Sequence, residues 1–233
     1  MKDVVVALDC TGETFSAGVL VSGSYQTSLV GLSPRRALRE LPGHIGYLLE
    51  AAARGYDQVI AVGVTCGPGS FTGVRLGVTL AKTICFASGC RVHGVDTLEL
   101  LARGQADLFA EGTVAVALDA RRGELYCALY EIDPFGPRLA TGVREPGHFA
   151  QELSGCEDLR SLVGKGFSAY PELVPDGFQG PVSASKKDCV PPVELLCALT
   201  QTAWKEERLT DPAELQPSYH RQADIQVSGG AKG

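Results

Sequence analysis

The chain holds one methionine, one tryptophan and four histidines among 233 residues. The histidines (His44, His93, His148, His220) share no i,i+3 or i,i+4 spacing, so a helical two-histidine metal motif is excluded. His93 sits in an apolar strand pattern and reads as a satisfied core histidine. No apolar run approaches the length needed to cross a bilayer. Eight cysteines include no Cys-x-x-Cys pair. Cys85 and Cys127 fall inside apolar patterns and read as small core residues. Met1-Lys2-Asp3 leads straight into a strand, so the sequence predicts a reduced, cytoplasmic protein with no signal peptide. Basic charge is also scarce. A net charge of −6 argues against a broad nucleic-acid surface acting alone. The local basic spots, at Arg35, Arg36 and Arg39 and at Arg121-Arg122, read as solvated faces.

What is present centres on Cys66-Gly67-Pro68-Gly69-Ser70-Phe71-Thr72-Gly73-Val74-Arg75-Leu76-Gly77. The β-branched run from Val59 to Thr65 before it predicts a buried strand. Gly67, Pro68 and Gly69 break that strand, and Ser70 or Thr72 can cap a helix from Gly73 to Ala87, stopped by Ser88-Gly89. That helix carries only Arg75 and Lys82 as charges, on one narrow stripe, and is otherwise apolar or small apart from Thr79 and Thr83. Gly73, Gly77 and Ala81 form a small-residue row along which another helix could approach closely. The composition allows either an internal helix or one buried by a partner subunit. A helix N-terminus after a glycine turn also invites an anion, with Gly69 and Ser70 as its candidates. No Gly-Lys-Ser/Thr follows at the spacing of a Walker A loop.

Around this centre the order predicts an α/β protein. Val4 to Leu8, Phe15 to Val21 and Tyr25 to Leu32 form a three-stranded meander. A helical stripe over Leu38, Leu41, Ile45, Leu48, Leu49 and Ala52 follows, kinked or begun at Pro42. Arg91 to Val95 then reads as a strand and Thr97 to Arg103 as a helix. The pattern restarts 110 residues on. Val114 to Asp119 repeats Val4 to Asp9, each an apolar strand ending in Asp, which predicts two related halves. After Pro134 the second half is irregular until a helix at Val193 to Trp204, with an extended end over Gln216 to Val227. The expected domains are residues 1–108 and 109–227, with 228–233 a disordered tail.

Asp9 and Asp119 close these two strands beside hydroxyl or glycine turns. Each can be a turn acceptor, or, with Thr11, Gly69 and Ser70, part of a residual nucleotide or magnesium site. Asp9-Cys10-Thr11 lacks the glycine a phosphate-hugging turn needs, which favours the turn reading.

The stretch Gly67 to Gly77 resembles the signature of the bacterial TsaB (YeaZ-like) family. Val116 to Tyr126, Gly94-Val95-Asp96-Thr97-Leu98 and Pro217-Ser218-Tyr219-His220-Arg221 are similar to its other stations. The resemblance implies an actin-like (ribonuclease H-like) fold of two related lobes, each a mixed sheet flanked by helices. It also implies a role in forming N6-threonylcarbamoyladenosine on tRNA beside the anticodon. There the chain would be the non-catalytic partner of the metal-holding subunit TsaD, joined by the ATPase TsaE. ATP and magnesium would be used by the assembled complex and no cofactor by this chain, with tRNA met only through the complex. The partner interface would draw on Leu41, Ile45, Leu48, Gly73, Arg75, Gly77, Val78, Ala81 and Lys82, leaving no catalytic or metal residue. Relatives often carry a His before the first helix, where this chain has Arg36, a candidate for a different partner contact. Two other functions fit the residues: an actin-fold ATPase or small-molecule kinase acting alone through Asp9 and Asp119, and a homodimeric interaction protein whose apolar helix pairs with its copy.

Overall fold

A computed structural model describes residues 3–32, 34–185 and 189–220. Strands β1 (Val4–Asp9), β2 (Thr14–Val21) and β3 (Ser24–Leu32) form the expected meander, followed by helix α1 (Pro34–Ala51). α1 starts at Pro34 and runs through Pro42 rather than beginning there. Its outer side is the one that carries Pro42, exposed to solvent. Strand β4 (Val59–Thr65), helix α2 (Phe71–Ser88), strand β5 (Arg91–Val95) and helix α3 (Thr97–Ala106) complete the first half. The caps of α2 follow the sequence: the Ser70 side chain accepts from the Gly73 amide, and Gly89 closes the helix in the left-handed region at φ 66°.

The second half holds β6 (Thr113–Arg121), β7 (Glu124–Glu131), β8 (Gly136–Arg144), α4 (Pro146–Ser154), β9 (Leu159–Val163), α5 (Gly166–Ala169), β10 (Val182–Ser183) and α6 (Val193–Lys205). β8, α4 and β9 all fall in the stretch that looked irregular. β8 is an edge strand with no fully buried residue, so it lacks the apolar alternation that betrays a strand. The tail at 228–233 and most of the extended end at 216–227 lie outside the described residues.

The two sheets share one plan. The first has the order β3-β2-β1-β4-β5, and the second, read from its other edge, β8-β7-β6-β9-β10. In each, an antiparallel meander is extended by two parallel strands. This is the actin-like α/β arrangement expected. Both first strands even slip register at the same point. Val4 pairs with Val59 but Val5 with Ala61, and Thr113 pairs with Leu159 but Val114 with Ser161. That shared slip aligns Val4 with Thr113, an offset of 109 rather than the 110 of the sequence motif.

Five layers result. α1 and α2 cover one face of the first sheet through Leu41, Ile45, Leu48, Val74, Val78 and Ala81. α6 covers the other face with Val193, Leu196 and Cys197. α3 packs Leu98, Leu101 and Ala102 on the second sheet, whose far face takes Phe149 and Leu153 of α4 and Phe167 of α5. The lobes thus exchange helices. The last helix of the sequence serves the first sheet, although the domain division expected from sequence assigns it to the second lobe.

The small-residue row of α2 faces its own sheet. A Cβ on Gly73 would stand 1.9 Å from the Cys10 carbonyl oxygen, and one on Gly77 would touch Cys10, Val64 and Leu8. At Gly73 and Gly77 the row brings α2 onto β1 and β4. A Cβ on Gly43, on the outer side of α1, would meet nothing within 4 Å. We therefore expect Gly73→Ala to lose about 3 kcal/mol of stability through overpacking against backbone. Gly43→Ala should gain roughly 0.5–1 kcal/mol from helix propensity. Urea melts of the two variants check the contrast.

Candidate functional site

At the end of β1 the chain ties itself into a knot of polar contacts. Asp9 is fully buried. Its Oδ1 accepts from the Thr11 amide at 3.2 Å, the Thr11 hydroxyl at 2.7 Å and the Thr65 hydroxyl at 2.5 Å. Its Oδ2 is enclosed with no hydrogen-bond partner among the described residues. Burial raises the Asp9 carboxyl above its ordinary value, against the opposing pull of the Thr65 and Thr11 donors. The turn ahead of α2 lies directly on this knot. The Ser70 amide donates to the Thr11 carbonyl at 2.8 Å, and a Cβ on Gly69 would come within 2.4 Å of that same oxygen. Gly69 is the glycine that close approach requires.

Of the proposed phosphate residues, Asp9, Thr11, Gly69 and Ser70 therefore come together. They come together as contacts to one another. Asp119 stands apart from them. By the shared register slip its counterpart is Cys10, while the counterpart of Asp9 is Leu118. A one-residue offset reverses the face of a strand. Asp9 lies on the α6 side with Val5 and Ala7, whereas Asp119 follows Ala115 and Ala117 on the α4 side. Asp119 is exposed, and its Oδ1 accepts from the Arg121 amide at 2.7 Å within its own hairpin. The paired-aspartate equivalence is thus corrected, although the duplication behind it is sound at the level of topology.

A magnesium nucleotide does not fit these groups. The Asp9 oxygen that could coordinate is sealed, the other is saturated, and the amides of Ser70 and Gly73 are spent on Thr11 and on the Ser70 side chain. Lys165, at the start of α5, pairs with Glu13 of the β1–β2 turn at 2.8 Å and joins the lobes beside this knot. Among the described residues no group of three or more His, Cys, Asp or Glu side chains is placed to hold a metal ion.

A second junction brings together two of the stretches that carry the resemblance, Gly94 to Leu98 and Pro217 to His220. Asp96 caps α3, accepting from the Leu98 and Glu99 amides at 2.7 and 3.1 Å, and takes the Thr141 hydroxyl of β8 at 3.3 Å. Burial raises its carboxyl, opposed by those amides and by His220. Its position before a helix was the available signal. Ser218 and Asp96 both approach Nε2 of His220, at 3.0 and 3.7 Å. A nucleophile-base-carboxylate relay needs the two ring nitrogens to serve different partners, so this is a tie between the C-terminal strap and α3. The strap also sets the Ser218 amide on the Cys66 carbonyl at 2.7 Å and buries Leu215. His93 meets Thr200 at 3.4 Å, and burial lowers its pKa, consistent with a core role.

The proposed interface residues divide. Leu41, Ile45, Leu48, Gly73, Gly77, Val78 and Ala81 are buried in the chain's own core, so they cannot be the surface a partner touches. Arg75 is exposed, stacked over the Phe71 ring at 3.7 Å and donating from Nε to the Tyr219 hydroxyl at 2.6 Å. Lys82 is half-buried and donates to the Ala213 carbonyl. The side chain of Arg36 lies outside the described residues. The outer sides of α1 and α2 present two large aromatics among polar residues such as Arg39, Thr79 and Thr83. Phe86 is 92% exposed and Tyr47 64% exposed, with Leu76 and Leu80 half-buried along the same helix as Phe86. A helical wheel separates Phe86 from the buried positions 74, 78, 81 and 85, so this was legible in principle.

Comparison with known proteins finds relatives over most of the chain. A family model described as TsaD, tRNA N6-adenosine threonylcarbamoyltransferase, matches residues 19–142. The chain is 30% identical to the tRNA threonylcarbamoyladenosine biosynthesis protein TsaB of Bacillus subtilis, with 96% of each chain covered. It is 26% identical to the TsaB of Haemophilus influenzae, with 93% of each covered. The solved structure of YeaZ from Pseudomonas aeruginosa superposes with a TM-score of 0.80 at 26% identity, covering 93% of this chain and 99% of that one.

The sign of the Asp9 shift gives a test. A carboxyl raised on folding stabilises below its unfolded value near 3.8 and loses that contribution as pH rises through the raised value. The stability difference between wild type and Asp9→Asn should therefore move in favour of the variant from pH 4 upward, then level off, in thermal melts across pH.

Proposed function

The chain belongs to the TsaB family, and from that footing we propose that it is the non-catalytic partner that docks on and supports the TsaD subunit. Its process is the formation of threonylcarbamoyladenosine on tRNA. In the proposed division of labour TsaD carries the chemistry, TsaE joins as the ATPase, and ATP, magnesium and tRNA are met only in the assembled complex. The chain uses no cofactor of its own.

One observation carries this reading: the outer face of α1 and α2 exposes Phe86 and Tyr47 while the turn that could serve a nucleotide is filled by the chain's own atoms. Exposed apolar residues that cluster into one patch mark interaction surfaces. Aromatic side chains are also the residues that dominate binding energy when they are covered. The occupant follows from likeness. The TsaD family model matches this chain through both helices, so TsaD offers a related pair of helices and the contact can be nearly two-fold. The knot at Asp9 speaks against an ATPase or kinase working alone.

Phe86→Glu should weaken binding to TsaD by roughly thirtyfold or more, measured by titration calorimetry. Its melting temperature should stay close to wild type, because an exposed substitution costs little stability. Unchanged affinity would contradict the placement of the interface. Light scattering of the chain alone separates pairing with TsaD from pairing with its own copy. Mixing the chain with TsaD and TsaE and omitting each in turn tests the role itself: modified tRNA should disappear without this chain. Modification at full rate in its absence would contradict the partner role.

A further inference from the structure

Two of the eight cysteines meet where α2 ends. Gly89 takes the left-handed conformation, and the amides of Gly89 and Cys90 both turn back to the Cys85 carbonyl, the latter at 3.2 Å. This closure sets the side chains three residues inside and two residues beyond a helix end against each other, a contact normally made by apolar groups. Here both are thiols, and they interact directly. Their settings differ. Cys90 is partly exposed, and its sulfur lies 3.2 Å from Oγ of Ser88, whose proton goes to the Ile84 carbonyl at 2.7 Å. Cys85 is buried behind it, with its S–H on the Arg91 carbonyl at 3.4 Å. The contact with Cys90, and burial, raise the Cys85 thiol, and of the two sulfurs Cys90 is the one that solvent reaches first.

We propose that Cys85 and Cys90 form a reversible dithiol site that accepts oxidising equivalents from small-molecule disulfides. The Cys90 thiolate attacks one sulfur of the disulfide, forming a mixed disulfide and expelling the first thiolate, which takes up the Cys90 proton. Cys85 then gives its proton to the second departing thiolate as its sulfur attacks Sγ of Cys90 and closes the intramolecular bond. The protein loses two electrons and two hydrogens, and one disulfide becomes two thiols. The site goes beyond the partner role. Phe86 stands on the same last turn of α2 but points away from the pair, so the thiols sit on the core side of the helix.

The two cysteines share one tryptic peptide, Thr83–Arg91, bounded by Lys82 and Arg91. The full chain is equilibrated with mixtures of reduced and oxidised glutathione, trapped with iodoacetamide and digested. The expected product is an unalkylated Thr83–Arg91 peptide lighter by two hydrogens than its reduced form, returned to double alkylation by dithiothreitol. Cys90→Ser and Cys85→Ala should each abolish it. Double alkylation at every glutathione ratio overturns the proposal, and so does a glutathione adduct on Cys90 that never resolves. The readout is a mass, so it stands or falls separately from binding to TsaD.

Discussion

The structure depends on how closely α2 lies on the end of β1. Gly69 and Gly73 remove the side chains that would separate them, and the Thr11 carbonyl receives the Ser70 amide in the space gained. Thr11 in turn is held by Asp9, and Asp9 by Thr65 of β4. A single set of contacts therefore fixes two strands, a turn and a helix. The second half uses the same device. Gly164 and Gly166 bring the start of α5 against Ala117 of β6, with a Cβ on Gly164 falling 2.0 Å from the Ala117 oxygen.

This close approach decides what the protein can do. In a two-lobed actin-like fold, the turns at the ends of the first strands are where a nucleotide's phosphates would be gripped. Here the first of them turns the Thr11 amide onto a sealed carboxylate, while the second turns its aspartate outward. Moving α2 inward also lifts its other side free. Phe86 and Tyr47 are left exposed on that side, and it is the surface proposed for a second subunit.

Much of this was legible in the residues. The strand-turn-helix from Val59 to Ser88, both caps of α2, the meander and the restart in the second half follow from β-branched runs, glycine positions and one capping serine. Three features were not legible, each for a physical reason. Gly73, Gly77 and Ala81 announce a close approach without saying whether a sheet or a helix makes it. Asp9 and Asp119 match as letters, but the register slip between Val4 and Val5 and between Thr113 and Val114 is invisible in sequence and moves the match by one residue. The destination of α6, which crosses to the first sheet, depends on tertiary packing alone.

We propose that the α1–α2 outer face is the working surface, beside a closed turn at Asp9. Hydrogen–deuterium exchange tests it most directly, comparing the chain alone, with TsaD, and with magnesium ATP. Slowed exchange is expected over 39–51 and 71–88 on adding TsaD, with no change at 9–13, 66–70 or 119–124 on adding the nucleotide. Protection of those turns by magnesium ATP, with the two helices indifferent to TsaD, would contradict it.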